Sequence, residues 1–327
     1  MRYHERLLGY LLLLSGAALV GCTGNAANQR QGGEQSTLGR PVQVQGQHQG
    51  KLPIQVVCTT EMVADLVRNV GKQHVAVKAM LGEGVDPHLY KATPGDRALL
   101  SGADLILYSG LHLEGKMGEV LVGMGKRKTA VAVAEHIPAS LVHKDEKGHL
   151  DPHVWFDVSA WSQAAGVVRD VLVAYDPPRA EEYRQNAQAY QAELAQLHEY
   201  AKARIGSIPK EQRVLVTAHD AFRYFGKAYE IEVKGIQGIS TESEAGVMEV
   251  NQLVRMLTER RIKAVFIESS VSNRNIKSLL EGCQAKGHSV VIGGELFSDA
   301  MGKAGTPEGS YVGMVRHNVE TIVKALK

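Results

Sequence analysis

Cysteine is scarce in this 327-residue chain, with three residues at positions 22, 58 and 283. They are too few and too scattered for a disulfide framework or a cysteine-based zinc module. An excess of one charge is also missing: 37 Lys and Arg stand against 35 Asp and Glu, a net +2. No whole-chain field exists to hold a polyanion, so nucleic acid is not an expected partner. Past residue 20 no unbroken apolar run approaches the roughly 20 residues that a membrane-spanning helix needs. Neither a G-x-S-x-G nucleophile elbow nor a G-x-x-x-x-G-K-[ST] phosphate loop occurs; Gly125-Lys126 is followed by Arg127 and lacks the upstream glycine. Serine hydrolase and ATPase chemistry are therefore unsupported. What is present is a globular composition, 44% apolar and 22% charged, with 13 histidines. At roughly 100 to 200 residues per domain, the length predicts two lobes.

Arg2 and Arg6 precede an apolar stretch from Leu7 to Val20 that Gly9, Ser15 and Gly16 interrupt. This reads as a signal peptide over residues 1–21, too short for a membrane span. Leu19-Val20-Gly21-Cys22 resembles the lipobox of bacterial lipoproteins, which makes Cys22 the expected lipidation site. Several acyl chains hold firmly, at roughly 0.8 kcal/mol per buried methylene. The chain is thus expected outside the cytoplasm, lipid-anchored to a bacterial membrane. Residues 22–50 are rich in Gln, Gly and Asn and read as a flexible tether. Cys58 and Cys283 read as free, buried packing residues.

The body alternates strand and helix twice over. Ile54 to Cys58 is a short β-branched run followed by a helical pattern at Met62, Leu66 and Val70, and similar runs recur at His74–Met80, Ala103–Tyr108 and Thr129–Val133. A second set spans Val214–Thr217, Ile231–Val233, Ala264–Glu268 and Ser289–Ile292. The fold class expected is α/β, with two lobes that are each a mostly parallel sheet flanked by helices. Between the sets, Pro177-Pro178 opens a stretch without Gly or Pro until Gly206, with apolar Tyr190, Leu194, Leu197 and Ala201 on one helical face. The boundaries predicted are an N-terminal lobe over 51–176, a linking helix over 177–207 and a C-terminal lobe over 208–327. One long backbone helix resists bending, so closure motions are expected to be small.

The chemistry is concentrated in a repeated tripeptide, Asp86-Pro87-His88 and Asp151-Pro152-His153. Proline stiffens each loop and biases the residue before it to extended geometry. His219 follows a predicted strand at its carboxyl end, where open α/β sheets bind ligands, and Asp299 follows the last strand. Three imidazoles and one carboxylate suit a borderline divalent cation such as zinc and fill a tetrahedral shell. Asp86 and Asp151 are read as acceptors that orient their neighbours rather than as ligands. A filled shell offers no activated water, which favours carriage of the ion over hydrolysis.

Gly84 to Tyr90, Ala103 to Tyr108, Gly110-Leu111-His112-Leu113-Glu114, Asp151 to Asp157, Thr217 to Phe222 and Gly293 to Gly302 occur together in one order. In these motifs the chain, from about Gln55 to its C-terminus, resembles the metal-binding solute-binding lipoproteins of ABC importers, the TroA-like zinc and manganese family. The resemblance implies a bilobed body with a backbone helix and a metal held between the lobes at His88, His153, His219 and Asp299. It further implies delivery of the ion to an ABC permease served by a separate ATPase subunit. His112 belongs to the shared pattern, which implies packing or support of the site. Within that family the third ligand is His in zinc-type members and Glu in many manganese-type ones; this chain has His219. The cargo expected is Zn2+ or Mn2+, with Fe2+ a further candidate. The loop between His136 and Asp151 lacks a long His-rich run, offering only His143, Asp145, Glu146 and His149. His143 and His149, with His48, His74, His136, His198 and His288, are read as surface residues, His317 is placed in the last helix, and Glu242 and Glu244 are read as solvating a loop rather than meeting a permease. No enzymatic activity is expected, and a monomer is. The alternatives are a zinc hydrolase with Asp299 or a nearby Glu as general base, and an adhesin-like surface lipoprotein without a motif of its own.

Overall fold

A computed structural model describes residues 38–145 and 147–327. The signal peptide and Cys22 lie outside the described residues, as does Glu146. In the N-terminal lobe, β1 (Ile54–Cys58), α1 (Glu61–Gly71), β2 (Val75–Ala79), α2 (Pro94–Gly102), β3 (Leu105–Tyr108), α3 (Gly118–Gly125) and β4 (Ala130–Ala132) alternate. The four strands form one parallel sheet in the order β2-β1-β3-β4. Val56, Val57, Leu105, Ile106 and Leu107 are all buried, which is why the central strands read as unbroken apolar runs rather than alternating ones. Local polar residues start the helices. Thr60 caps α1, and Thr93 with Asp96 forms a reciprocal capping box at α2, with Pro94 in the first turn.

Next, α4 (Val158–Tyr175) is capped by Asp157, which accepts from Ser159 N and Ala160 N. Pro177-Pro178 form a separate 3-10 turn, and α5 (Ala180–Gly206) runs 27 residues from there, about 40 Å at 1.5 Å per residue. Its buried stripe is Tyr183, Ala187, Tyr190, Leu194, Leu197, Ala201 and Ile205, spaced by three and four. The second lobe comprises β5 (Val214–His219), α6 (Arg223–Tyr229), β6 (Glu232–Gln237), α7 (Val247–Glu259), β7 (Ala264–Glu268), α8 (Arg274–Ala285), β8 (Val291–Leu296) and α9 (Tyr311–Leu326). Its strands are hydrogen-bonded as two parallel pairs, β5-β6 and β7-β8, with β5 packed beside β7. Among the described residues no helix is long and apolar enough to cross a membrane.

One continuous core joins the lobes behind the cleft, drawing on α1, α4, α5 and α9 as well as on strands from both halves. Buried Asp65 on α1 fastens this layer: Tyr190 on α5 donates its hydroxyl to Oδ1 at 2.5 Å, and the Tyr311 N–H on α9 donates to Oδ2 at 3.3 Å. Cys58 and Cys283 are free and buried.

The expected tether end at residue 50 is corrected. Residues 38–50 form a strap on the N-terminal lobe: Gly39 N donates to Glu135 O at 2.9 Å, Gln45 N to Thr129 Oγ1 at 2.7 Å, and His48 N to Tyr175 O at 2.7 Å. Leu38 and Val42 pack against the core. Two apolar anchors and a series of satisfied backbone donors offset the ordering entropy that the polar composition appeared to forbid.

Candidate metal centre

Two of the four candidate donors, His219 and Asp299, sit at carboxyl ends of strands in the second lobe, and the other two, His88 and His153, come from loops of the first. His88 lies in the loop after β2, and Asp86 Oδ1 accepts from its backbone N–H at 2.8 Å. His153 immediately precedes a 3-10 turn (Val154–Phe156) that leads into α4. His219 is the last residue of β5, and Asp299 follows β8. Close packing at the His219 end depends on Gly235 of β6, where a Cβ would fall 2.4 Å from Asp220 N.

The side chains converge. His153 Nε2 lies 3.4 Å from His88 Nε2 and 3.4 Å from His219 Nε2. Asp299 Oδ2 lies 3.2 Å from His219 Nε2 and 3.7 Å from His88 Nε2, while Oδ1 lies 3.4 Å from His153 Nε2. A tetrahedral zinc site with bonds of roughly 2.0 to 2.1 Å has donor-to-donor edges of about 3.3 Å. One donor atom from each residue lies within 4.8 Å of the others, and all four residues are buried. Neither Asp299 oxygen makes a hydrogen bond of good geometry, the nearest polar atoms being the Nε2 atoms of His219 and His153. A buried carboxylate left this way is strongly disfavoured unless a cation meets it.

The far nitrogens are fixed by carboxylates. Asp151 Oδ1 meets His153 Nδ1 at 2.8 Å and also accepts from His153 N at 3.0 Å. Glu268 Oε2 meets His219 Nδ1 at 2.6 Å, and its Oε1 accepts from His219 N at 2.8 Å. Each carboxylate holds a proton on Nδ1, which leaves Nε2 directed at the cluster. Burial acts to deprotonate His153, but Asp151 and Asp299 outweigh it and raise its pKa to about 9. Burial is likewise outweighed at His219, where Glu268 and Asp299 hold the pKa well above the ordinary value. His88 is lowered to about 3 by burial, against the pull of Asp299. Burial would raise Asp299, yet His219 and His153 hold it well below the usual carboxylate range. In the ion-free cluster the neighbouring carboxylates thus push both His153 and His219 toward the imidazolium form. A divalent cation that displaces both protons leaves the net charge of the cluster unchanged.

The structure thus brings His88, His153, His219 and Asp299 together and sets Asp86 and Asp151 behind them as acceptors. Asp86, raised by burial, also accepts from Thr241. The supporting role expected of His112 is corrected: it is exposed, in a left-handed conformation (φ 66°), and outside the cluster. The turn it occupies directs Glu114 inward instead, where the carboxylate accepts from Thr59 Oγ1, Ser109 N and Gly110 N. His143, expected on the surface, is half-buried and stacks on Tyr224 at 4.0 Å. Sequence reasoning missed Glu268, whose one signal is a charged residue closing a buried strand, and Trp155, whose indole donates to Ser298 O.

Comparison with known proteins identifies the family. The family profile described as zinc-uptake complex component A, periplasmic (ZnuA), matches residues 56–325. The chain is 50% identical over 275 residues to the manganese-binding lipoprotein MntA of Bacillus subtilis, covering 84% of this chain and 90% of that one. It is 52% identical over 271 residues to the zinc-binding protein TroA of Treponema pallidum, covering 83% and 88%. The solved structure of the periplasmic zinc-binding protein TroA from Treponema pallidum superposes with a TM-score of 0.82 at 51% identity, covering 85% of this chain and 99% of that one. These matches lend no support to the hydrolase or adhesin alternatives. With its two-lobed α/β body and a profile match over most of its length, the chain belongs to the zinc-uptake complex component A family of substrate-binding transport proteins.

Proposed function

We propose that this protein captures a divalent transition-metal ion outside the cytoplasm, with His88, His153, His219 and Asp299 as ligands, and delivers it to an ABC permease energised by a separate ATPase subunit. The observation that carries the reading is the buried Asp299 carboxylate. Neither of its oxygens makes a well-formed hydrogen bond, and it faces three imidazoles at donor-to-donor distances suited to a small cation. The relatives named as zinc- and manganese-binding support Zn2+ or Mn2+ as cargo, with Fe2+ a further candidate. Three nitrogens favour zinc. Asp299 also presents a second oxygen inward, a fifth donor for an ion such as manganese that prefers oxygen. Four buried protein donors leave no evident place for an activated water, which supports carriage without catalysis. Acylation of Cys22 would hold the protein at the outer face of a bacterial membrane, near its permease.

The test is metal content and thermal stability of the lipid-free chain from Cys22 onward, stripped and then exposed to zinc, manganese or iron(II). A ligand that binds only the native state stabilises it by about 2.7 kcal/mol at a hundredfold excess over Kd. His219→Ala should abolish most of that shift; an undiminished response would remove His219 from the ligand set.

A further inference from the structure

The four donors are not held equally. His153 precedes a turn into α4, His219 ends β5, and Asp299 follows Ser298, whose carbonyl is fixed by Trp155. His88 lies mid-way along residues 80–93, a run without helix or strand. What steadies it comes from the opposite lobe. Thr241, buried in the segment between β6 and α7, donates its hydroxyl to Asp86 Oδ2 at 2.6 Å. The other oxygen of the same carboxylate accepts the His88 N–H at 2.8 Å. A single side chain thus connects the backbone of one donor to a hydroxyl across the cleft.

Neighbouring contacts converge on this corner. Glu242 Oε1 pairs with Lys116 Nζ at 2.8 Å. Between them, a Cβ at Gly115 would lie 3.5 Å from Glu242 Oε1 and 3.7 Å from His88 O. The segment is fastened to its own lobe by Gln237 Nε2, which donates to Ser243 O at 3.1 Å. Three loops from two lobes therefore meet over His88, and Thr241 supplies the least exposed link.

We propose that Thr241 is a positioning residue for the bound metal: acting through Asp86, its hydroxyl holds His88 on the ion and sets how long the ion stays. The inference rests on the metal-capture reading and adds a release point to it. Breaking the Thr241–Asp86 link removes the cross-cleft restraint on His88, so the ion loses a ligand before the lobes part elsewhere. Any permease contact that displaces the 240–242 segment would accelerate release by this route.

The experiment uses the lipid-free full chain with zinc alone and follows dissociation into excess chelator by stopped flow. Thr241→Val is expected to raise the dissociation rate by about tenfold, equivalent to about 1.4 kcal/mol. Association should remain within about twofold, and the melting temperature of the stripped protein should be unchanged. Thr241→Ser, which keeps the hydroxyl, should stay near wild type, and Thr241→Ala provides a second hydroxyl-free variant if the valine form folds poorly. In an Asp86→Ala background, removal of the hydroxyl should add nothing further. A rate unchanged in both hydroxyl-free variants would overturn the proposal, as would equal acceleration by Thr241→Ser or a full effect without Asp86. Wild-type protein that retains no zinc would overturn the capture reading itself, a result separable from all of these.

Discussion

The Trp155 indole donates its Nε1 hydrogen to the Ser298 carbonyl at 3.0 Å, linking the turn after His153 to the residue before Asp299. Trp155 is fully buried, and its own carbonyl accepts from the Tyr311 hydroxyl at 2.6 Å. One ring thereby ties a donor of the first lobe to a donor of the second, and both to α9. The cleft floor belongs to the shared core and does not act as a free hinge.

Trp155→Phe should therefore weaken both fold and site. It leaves the Ser298 carbonyl buried without its donor, a loss of about 1 to 3 kcal/mol, and a cavity adds to it. Urea unfolding of the stripped protein measures the first effect and chelator competition the second. Unchanged stability would show that the carbonyl finds another partner and that the link is dispensable.

Glu268→Gln tests the support behind His219. The carboxylate accepts two hydrogens from that residue, at Nδ1 and at the backbone N. An amide has only one oxygen, so its NH2 must face one of these donors or force the imidazole into the tautomer protonated at Nε2. Metal affinity should fall by roughly 10- to 100-fold, the usual scale for loss of a partner to a ligating histidine. Affinity within about twofold of wild type would count against this role.

The contrast between Asp151 and Glu268 shows what was legible in the sequence. Asp151 stands two residues from His153, inside a proline-stiffened tripeptide that recurs at Asp86-Pro87-His88, so its supporting place could be read locally. Glu268 is 49 positions from His219, and Thr241 is 155 from Asp86. Such pairings leave no periodic trace, because they arise only once strands β5 and β7 lie side by side and the lobes close over each other. Strand cores such as Val56-Val57 were readable as unbroken apolar runs and the stripe of α5 as a three- and four-residue period, because burial dictates both. The strap over residues 38–50 was not, since Leu38 and Val42 are too sparse to make a pattern.

Tyr190→Phe addresses the joint between α5 and the first lobe. Its hydroxyl is one of the donors that keep buried Asp65 satisfied, alongside Asn69 and the Tyr311 N–H. A hydrogen bond to a charged group contributes about 1.5 to 3 kcal/mol, so the melting temperature should drop by several degrees. Calorimetry of the stripped protein would show it. An unshifted transition would mean that Asn69 and Tyr311 suffice.

The pH dependence follows from the histidine pair. In the ion-free protein His153 has a folded pKa of about 9, above the ordinary value of roughly 6.5. Its contribution to stability is therefore complete below about pH 6.5 and is lost as pH rises through 9. His219 is shifted in the same direction. Asp299 is shifted the opposite way for a carboxylate, downward, so its contribution is present above the ordinary Asp range and disappears in strong acid. Metal binding must expel the protons from His153 and His219. Below about pH 9, apparent affinity should thus climb with pH, by up to about tenfold per unit for each proton released. Since the stripped protein weakens over the same interval, the gap in melting temperature between loaded and stripped forms should widen from pH 6 to pH 8.5. Scanning calorimetry at fixed free zinc gives the gap, and titrations in two buffers of different ionisation enthalpy count the protons. A gap that narrows as pH rises, or a count of zero near pH 7, would mean that the cluster is already deprotonated before the ion arrives and that the carboxylates around it do not hold the charge assigned to them.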